Sequence, residues 1–219
     1  MTMPFTLIDI LLILVVTAQS VALAYVHSAR AKSLLYMLPF PFTFAMLATG
    51  RGVDATHPAG ILCIWAFPWV VYWLHVRWRL HILAADAAAL ALHLGVSLML
   101  ARCIPGAEAN GNAWIEAALF WGLCGGLFAG AVGMSLLPHR AEPGHRSPLP
   151  VWVKAPGVFA VVAGIVLAKE ALRGFMPAFP MVTIFAVYEA RHSLYTLSSR
   201  FPIFIAGFVF MLVALRLTV

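Results

Sequence analysis

Apolar residues fall in long stretches along the chain, separated by short polar breaks. The breaks divide the sequence into eight apolar stretches, at residues 5–26, 34–50, 59–76, 80–101, 112–137, 151–168, 172–189 and 200–218. A helix needs about 20 apolar residues to cross a bilayer, and the first, fourth and fifth stretches reach that length unaided. The second and seventh are shorter and contain proline. The pattern predicts an all-α polytopic membrane protein with about eight transmembrane segments.

The composition agrees with this pattern and narrows the class of protein. Of the 219 residues, 63% are hydrophobic and only 10% are charged, whereas about a quarter of the residues in soluble domains are charged. So few charged side chains cannot cover the surface of a soluble domain of this size. Soluble globular, disordered and nucleic-acid-binding proteins are therefore excluded. The expected partner is the lipid bilayer, with no nucleic acid.

The basic residues are best explained as determinants of topology. The net charge is +6, and counting Lys and Arg in alternate loops gives nine on one side of the membrane and five on the other. This bias favours a cytoplasmic first loop, with both termini on the opposite side. The first apolar stretch has no basic side chain before Arg30, so we expect it to remain as a membrane helix rather than be cleaved as a signal peptide.

The fifth stretch is rich in glycine. Gly122, Gly126 and Gly130 form two overlapping GxxxG steps, and Gly125 and Gly133 lie between and beyond them. Such a stripe allows another helix backbone to approach closely, so we expect this helix to be packed rather than lipid-facing. The segment that follows, 138–150, is rich in proline and is the predicted soluble linker between two halves.

The two proline-containing stretches match each other. Residues 35–44 and 174–183 align with an offset of 139 residues, which pairs Phe40 with Phe179 and Pro41 with Pro180. This offset spans five membrane segments, an odd number, so the two copies would have opposite orientations. The sequence therefore predicts inverted-topology repeats at 1–104 and 151–219, joined by a linking segment at 105–150. The alternative is a chance match between two segments of biased composition.

These proline segments are the leading candidate site. Proline interrupts helical hydrogen bonding, and a pair of interrupted spans at matching positions points to a transport site. We expect substrate-binding residues from both copies: Pro39, Phe40, Pro41, Thr43, Pro177, Phe179, Pro180 and Thr183. The alternative is a structural kink whose free carbonyl groups are satisfied by neighbouring side chains.

Ionisable residues within the apolar stretches form a second group of candidates. His93 follows Asp86 by seven residues, which places both on one helix face, and Glu116 lies about one turn into the fifth stretch. Ionisable groups inside a membrane usually face a partner or water, so these three are candidates for ion or proton coupling. The alternatives are helix packing, or pairing of Asp86 with Arg79 or Arg102.

Charged residues also border the two proline segments. Arg51, Glu189, Arg191 and His192 are candidates for gating or for steering a solute towards the site. The alternative is a solvated loop at the membrane surface. Trp and Tyr favour membrane interfaces, so the aromatic cluster at residues 65–78 is predicted to serve mainly as an interfacial belt and in packing.

No enzymatic motif occurs in the sequence. We find no serine-protease-like spacing, phosphate-binding loop, zinc-protease motif or dinucleotide fingerprint. Cys63, Cys103 and Cys124 are scattered and do not have the spacing of a zinc site or a disulfide framework. We therefore expect no enzyme activity, no metal and no cofactor.

Several of these motifs together resemble a known family. They are the Leu-Ala-Lys helix end at 167–169, the Gly-Phe-x-Pro-x-Phe-Pro-x-x-Thr core at 174–183 and the Glu-Ala-Arg turn at 189–191. Residues 153–211 thus resemble one copy of the small GlpM-type bacterial membrane proteins. Residues 11–102 follow the same plan more loosely, at 40–44 and 65–69. The resemblance implies a fused tandem duplication in the bacterial inner membrane, where the charge bias would place both termini in the periplasm. The chain departs from the family plan in its second copy, which lacks a fourth span.

The leading functional prediction is a transporter or channel for a small solute or lipid-like molecule, with its site between the inverted repeats. The alternative, which the family's link to alginate implies, is a non-transporting accessory protein that supports envelope or exopolysaccharide production. A homodimer or an envelope-complex partner fits either hypothesis. A membrane enzyme acting on a lipid is a third and weaker hypothesis, since no catalytic group of residues is visible.

Overall fold

The computed structural model describes residues 6–36, 38, 40–49, 52–104, 113–136, 142, 145, 150–167 and 179–218. They form nine α-helices, namely α1 (Leu7–Tyr25), α2 (Ala29–Tyr36), α3 (Phe40–Thr49), α4 (Thr56–Tyr72), α5 (Ile82–Cys103), α6 (Ala113–Ser135), α7 (Val151–Leu167), α8 (Met181–Glu189) and α9 (Leu194–Thr218). A π-helical turn, Trp73–Arg77, continues α4. These residues form no strand, so the predicted all-helical fold is confirmed.

Five of the described helices are long and apolar enough to cross a membrane: α1, α4 with its π-helical turn, α5, α6 and α9. Helix α7, with 17 residues, is slightly shorter. The ten residues of α3 and the nine of α8 rise only about 15 Å, which is half of the hydrocarbon core of a bilayer. The membrane class is thus supported, while two of the eight predicted spans correspond to short helices.

Helix α9 is the central element of one half of the bundle. It packs against α2, α4 and α6, while α1 packs against α3, α7 and α8. Phe201, Phe204 and Phe208 form a ladder of edge-to-face ring contacts along α9. Tyr36 of α2 and Phe42 of α3 add their rings to this ladder. The ladder therefore connects the short helices to a membrane-length helix through buried aromatic surface.

The helix termini are fixed by specific polar contacts. Thr6 and Asp9 form a capping box at the start of α1, in which the Asp9 carboxylate accepts hydrogen bonds of 2.8 Å from the Thr6 amide and hydroxyl groups. Beyond the π-helical turn, the Leu80 amide donates to the Leu74 carbonyl at 3.1 Å. Arg79 adopts the left-handed conformation (φ 56°) that this reversal requires.

Exposed tryptophans lie near the ends of several helices. Trp73 and Trp78 follow α4, and Trp152 and Trp114 are the second residues of α7 and α6; each is more than half exposed. Trp69 instead packs edge-on against Tyr72 and against Tyr195 of α9, and the rings of Tyr72 and Tyr195 contact each other at a tilt. The aromatic cluster therefore divides between surface and packing positions, as the sequence predicts for a protein with interfacial tryptophans.

The glycine stripe of α6 is only partly packed. A methyl group added at Gly130 would lie 2.9 Å from the Trp65 ring, whereas one at Gly122, Gly125, Gly126 or Gly133 would meet nothing within 4 Å. The predicted packing of α6 is therefore observed, because α6 packs against α9 and α4. Within the stripe itself, however, only Gly130 has a close neighbour among the described residues, and the other four glycines lie away from the helices that α6 contacts.

This difference yields a paired test. We expect Gly130→Ala to lower the free energy of unfolding by about 1 kcal/mol, because the added methyl group overpacks the stiff Trp65 ring. Gly126→Ala should leave stability unchanged or raise it by about 0.5–1 kcal/mol through better helix propensity. Thermal unfolding of both variants in the same detergent measures the difference, and equal effects would contradict the packing described for α6.

Candidate functional site

The structure brings part of the two proline segments together. Pro41, Phe179 and Thr183 line one small cavity of about 40 Å³. Phe40 is half-exposed, at 51%, and Thr43 is also exposed, so both side chains point away from this cavity. Pro180 is buried at the N-cap of α8. Pro39 and Pro177 lie outside the described residues.

The prolines begin helices instead of kinking them. Pro41 is the second residue of α3, and Pro180 immediately precedes α8. Proline suits the first turn of a helix, since its missing amide would have no partner there. At these described positions the prolines lie at helix starts, and neither of them lies at a kink within a continuous helix.

The cavity beside these segments is too small for a solute. The hydroxyl groups of Tyr36 and Thr183 form a short hydrogen bond there, and Phe42, Phe204 and Phe208 complete most of the wall. A volume of about 40 Å³ suits one water molecule, whereas ligand pockets usually enclose about 300–1,000 Å³. In this conformation, the interface of the proline segments is a packed junction.

A larger cavity of about 370 Å³ lies between α1, α5, α7 and α8. Polar or ionisable side chains line it at Ser20, Asp86, Lys154, Tyr188 and Glu189. The rest of its wall is formed by small and apolar residues, namely Val21, Ala24, Leu83, Val153, Gly157, Val158, Val161, Ile184 and Phe185. This cavity falls within the size range of ligand sites and places a few polar groups in an apolar wall.

Glu189 is the centre of the charged end of this cavity. Its carboxylate Oε1 accepts a short charge-assisted hydrogen bond from Lys154 Nζ, and its backbone carbonyl accepts a bond of 2.8 Å from Lys32 Nζ. Burial lowers the pKa of Lys32, and the Glu189 carboxylate opposes that shift. The second carboxylate oxygen, Oε2, is buried and has no hydrogen-bond partner among the described residues.

Asp86 contributes a second carboxylate to the cavity. Its side chain is 6% exposed, and Oδ1 has no hydrogen-bond partner in the described part of the chain. Arg79 and Arg102, the predicted alternative partners, are both exposed. The Asp86 carboxyl group therefore lies in the wall of the cavity, and no described residue forms a hydrogen bond with its Oδ1.

His93 shares the buried face of α5 with Asp86 but faces another space. Its imidazole lies between Phe179 and Phe67, at centroid distances of 5.6 Å and 6.1 Å. It lines a separate cavity of about 90 Å³ beside Cys63. Neither ring nitrogen makes a hydrogen bond to a described residue. The predicted shared face is confirmed, and the two side chains open into different cavities.

Glu116 lies at the other end of the bundle in a paired environment. Its two carboxylate oxygens accept bidentate hydrogen bonds of 2.7 Å and 2.6 Å from Arg216, and Oε1 also accepts one of 2.8 Å from the Ala55 amide. The Arg216 guanidinium lies 4.2 Å from the centre of the Phe120 ring. Both oxygens of Glu116 are thus occupied by contacts that join α4, α6 and α9.

Asp54 and His57 complete this end of the bundle. The Asp54 carboxylate accepts a hydrogen bond of 3.0 Å from the Thr56 amide and lies 3.1 Å from His57 Nδ1. Burial raises the pKa of Asp54, but the hydrogen bonds from His57 and Thr56 outweigh burial and leave it below its ordinary value. These contacts fix the start of α4 and stabilise an ionised carboxylate.

The remaining candidates for gating form a group beside Glu189. Arg191 donates hydrogen bonds to the Tyr188 carbonyl at 3.2 Å and contacts His145 Nε2 at 3.0 Å. The exposed His192 packs its ring against that of His145. Partial burial lowers the pKa of His145, and the neighbouring Arg191 and His192 side chains add to this shift. Arg51 lies outside the described residues.

Two lysines that contact Glu189 are not among the site residues predicted from the sequence. Lys154 and Lys32 belong to the basic residues for which the sequence predicts only a role in topology. The available signal was that Lys154 lies inside an otherwise apolar stretch, at the fourth residue of α7. A lysine at such a position needs a partner or an aqueous path for its ammonium group, and here that partner is Glu189.

The Glu116–Arg216 pair can be tested by a double-mutant cycle. Glu116→Met or Arg216→Met alone should lower the free energy of unfolding by about 2 kcal/mol, because each leaves an unpaired and largely buried charge. The double variant should be less destabilised than the sum of the two. Thermal unfolding in detergent measures this, with the exposed Cys103→Ala as control. Additive losses would mean that the pair is not coupled.

Comparison with known proteins does not assign the chain to a family. No family model, no curated protein and no solved structure matches it. A function for the chain therefore has to rest on the geometry of its own residues, and above all on the cavity that holds Asp86 and Glu189.

Proposed function

We propose that the protein is a membrane transporter or channel for a small solute or lipid-like molecule, which binds in the cavity between α1, α5, α7 and α8. The observation that carries this proposal is the buried Asp86 carboxylate, which lines a space of about 370 Å³ and whose Oδ1 has no hydrogen-bond partner among the described residues. An unpaired carboxylate among membrane-length helices is costly, and such groups usually mark a path for a substrate or an ion.

The short helices support the same proposal. Helices α3 and α8 each begin at a proline, cover about half a bilayer and contribute to the same small junction. Discontinuous helices of this kind are typical of transporters built from inverted repeats. The inverted GlpM-like duplication, with its inner-membrane location and periplasmic termini, forms part of this proposal.

The position of the cavity changes the expected binding residues. Helix α8 lines both spaces: Thr183 faces the small junction, while Ile184, Phe185 and Glu189 face the large cavity. We therefore propose that Asp86, Lys154 and Glu189 contact the transported molecule, while the proline segments form the packed wall beside it. His93 and the gating candidates Arg191 and His192 keep their predicted roles as part of this proposal.

One observation favours the second candidate function, a non-transporting accessory protein. The face of α6 that carries Gly122 and Gly126 is open, and Trp121 and Phe128 on the same helix are also exposed. Such a surface suits close packing against a helix of another chain. An accessory protein would use this face for assembly and would need no solute in the cavity.

A flux assay separates the two functions. In sealed vesicles that contain the purified protein, we expect uptake of at least one member of a panel of small solutes and amphiphiles above that of empty vesicles. Asp86→Asn should reduce that uptake at least about tenfold, because it removes the charge and keeps the side-chain volume. Cys103→Ala, on an exposed position of the same helix, should have no effect.

Two results would count against the transport function. The first is uptake equal to that of empty vesicles for every compound in the panel. The second is equal uptake by the Asp86→Asn and Cys103→Ala variants, which would show that the transported molecule does not depend on the Asp86 carboxylate. Copurification of one stoichiometric partner that depends on the α6 face would then favour the accessory function.

A further inference from the structure

We propose that the cavity between α1, α5, α7 and α8 recognises a lipophilic amine, meaning a molecule with one protonated amino group on an apolar body. The molecule reaches the cavity from within the bilayer, through the gap between α5 and α7. This inference rests on the proposed function for its cavity and specifies the chemical class of the ligand.

The polar groups that face the cavity favour a ligand that donates hydrogen bonds. Asp86 and Glu189 are both more than nine-tenths buried, and each has one carboxylate oxygen with no hydrogen-bond partner among the described residues. Of the described side chains that line the space, Lys154 is the basic one, and its ammonium group is already bonded to Glu189. Asp86 Oδ1 and Glu189 Oε2 therefore remain as buried acceptors on two side chains of the cavity wall.

The other described cations near the cavity donate to groups other than these two oxygen atoms. The Lys32 ammonium group donates to the Glu189 backbone carbonyl and does not line the space. The Arg191 guanidinium turns to the Tyr188 carbonyl and His145. A protonated amine supplies up to three donors for these acceptor atoms, whereas an anion would bring further acceptors to a wall that already holds two carboxyl groups.

The cavity is polar at one end and apolar along the rest of its length. Lys154 is the fourth residue of α7, and Val161 lies seven residues further along that helix, about 10 Å deeper. On α8, Glu189 is the last residue, and Ile184 lies about 7 Å further in. The charged groups therefore lie near the ends of these helices, and the apolar wall extends towards the middle of the bundle.

This gradient matches the way an amphiphile lies in a bilayer. Its amino group would lie at the level of the interface, beside Asp86 and Glu189, and its apolar body would lie parallel to α7. A small hydrated cation would leave most of the apolar wall without a contact. The ligand class is therefore an amine with an apolar body, and not a bare alkali ion.

The side of the cavity is open between α5 and α7. Leu83 of α5 and Val153 and Val161 of α7 line the cavity and are 44–55% exposed. Gly157, between these α7 residues, adds no side chain, and a Cβ atom there would meet nothing within 4 Å. In a protein surrounded by lipid, an opening flanked by exposed aliphatic side chains faces the acyl chains.

Glycines on α7 supply a matched pair of variants. Gly157→Leu places a side chain in the mouth of the cavity, while Gly164→Leu adds the same side chain to the same helix away from it. Neither position has an atom within 4 Å of the new Cβ. Both variants should therefore fold, and thermal unfolding in detergent checks that their melting temperatures stay close to that of the native protein.

The experiment titrates the full chain in lipid nanodiscs with three probes at neutral pH. Dodecylammonium carries both the charge and the apolar body, dodecanol carries only the body, and methylammonium carries only the charged group. Calorimetry against empty nanodiscs measures saturable binding. We expect saturable binding of dodecylammonium alone, unchanged by Gly164→Leu, abolished by Gly157→Leu and weakened at least about tenfold by Asp86→Asn.

Several outcomes would overturn the ligand class. If dodecanol binds as well as dodecylammonium, the charge plays no part in recognition. If methylammonium binds as well, the apolar body plays no part. If dodecylammonium binds the native protein and Asp86→Asn with equal affinity, the Asp86 carboxylate does not contact the ligand. If Gly157→Leu does not fold, the Asp86→Asn comparison decides alone.

The binding experiment tests the ligand class and the flux experiment tests the transport function, so a negative result in one does not decide the other. Saturable binding of dodecylammonium without uptake of any compound would support the ligand class and contradict the proposed transport function. Uptake of other solutes without any binding of dodecylammonium would support transport and overturn the lipophilic amine as the ligand.

Discussion

Charged groups buried among apolar helices need partners, and this requirement organises both ends of the bundle. At one end the Glu116 carboxylate accepts two hydrogen bonds from Arg216 and one from the backbone amide at the start of α4. At the other end the Glu189 carboxylate accepts a hydrogen bond from Lys154, and the Glu189 backbone carbonyl accepts one from Lys32. The two clusters lie at opposite ends of α9, whose 25 residues extend about 37 Å. Each cluster joins three helices that are distant in sequence, so the pairing of charges fixes how the helices are arranged.

Asp86 differs from the other buried acidic residues in its hydrogen bonding. Asp9 is satisfied by a helix cap, and Glu116 is satisfied by Arg216. Asp86 is similarly buried, yet no described residue forms a hydrogen bond with its Oδ1, and its side chain lines the larger cavity. In an apolar surrounding an unpaired carboxylate is costly, so its retention beside an open space is better explained by a ligand than by packing.

The parts of this structure that depend on local composition could be predicted from the sequence, and the parts that depend on distant contacts could not. The long apolar stretches identify α1, α5 and α6 because length and hydrophobicity decide whether a helix can cross a bilayer. The spacing of Asp86 and His93 correctly places both on one face. The glycines of α6 indicate how closely another helix could approach, but they do not show which helix does so. Only Gly130 has a close neighbour among the described residues. Lys154 was missed because its partner Glu189 is 35 residues away.

Helix α8 connects the predicted site with the observed cavity. Val182 and Thr183 line the small junction with the proline segment of α3, and the next two residues, Ile184 and Phe185, line the large cavity. Consecutive residues of one short helix thus face two different spaces. The helix also packs against α1, α2, α4, α5 and α7. Any ligand that moves α8 in the larger cavity must therefore disturb the Tyr36–Thr183 contact and the ring of His93 beside Phe179. Helix α8 therefore separates the junction of the proline segments from the cavity that holds Asp86, and it lines both.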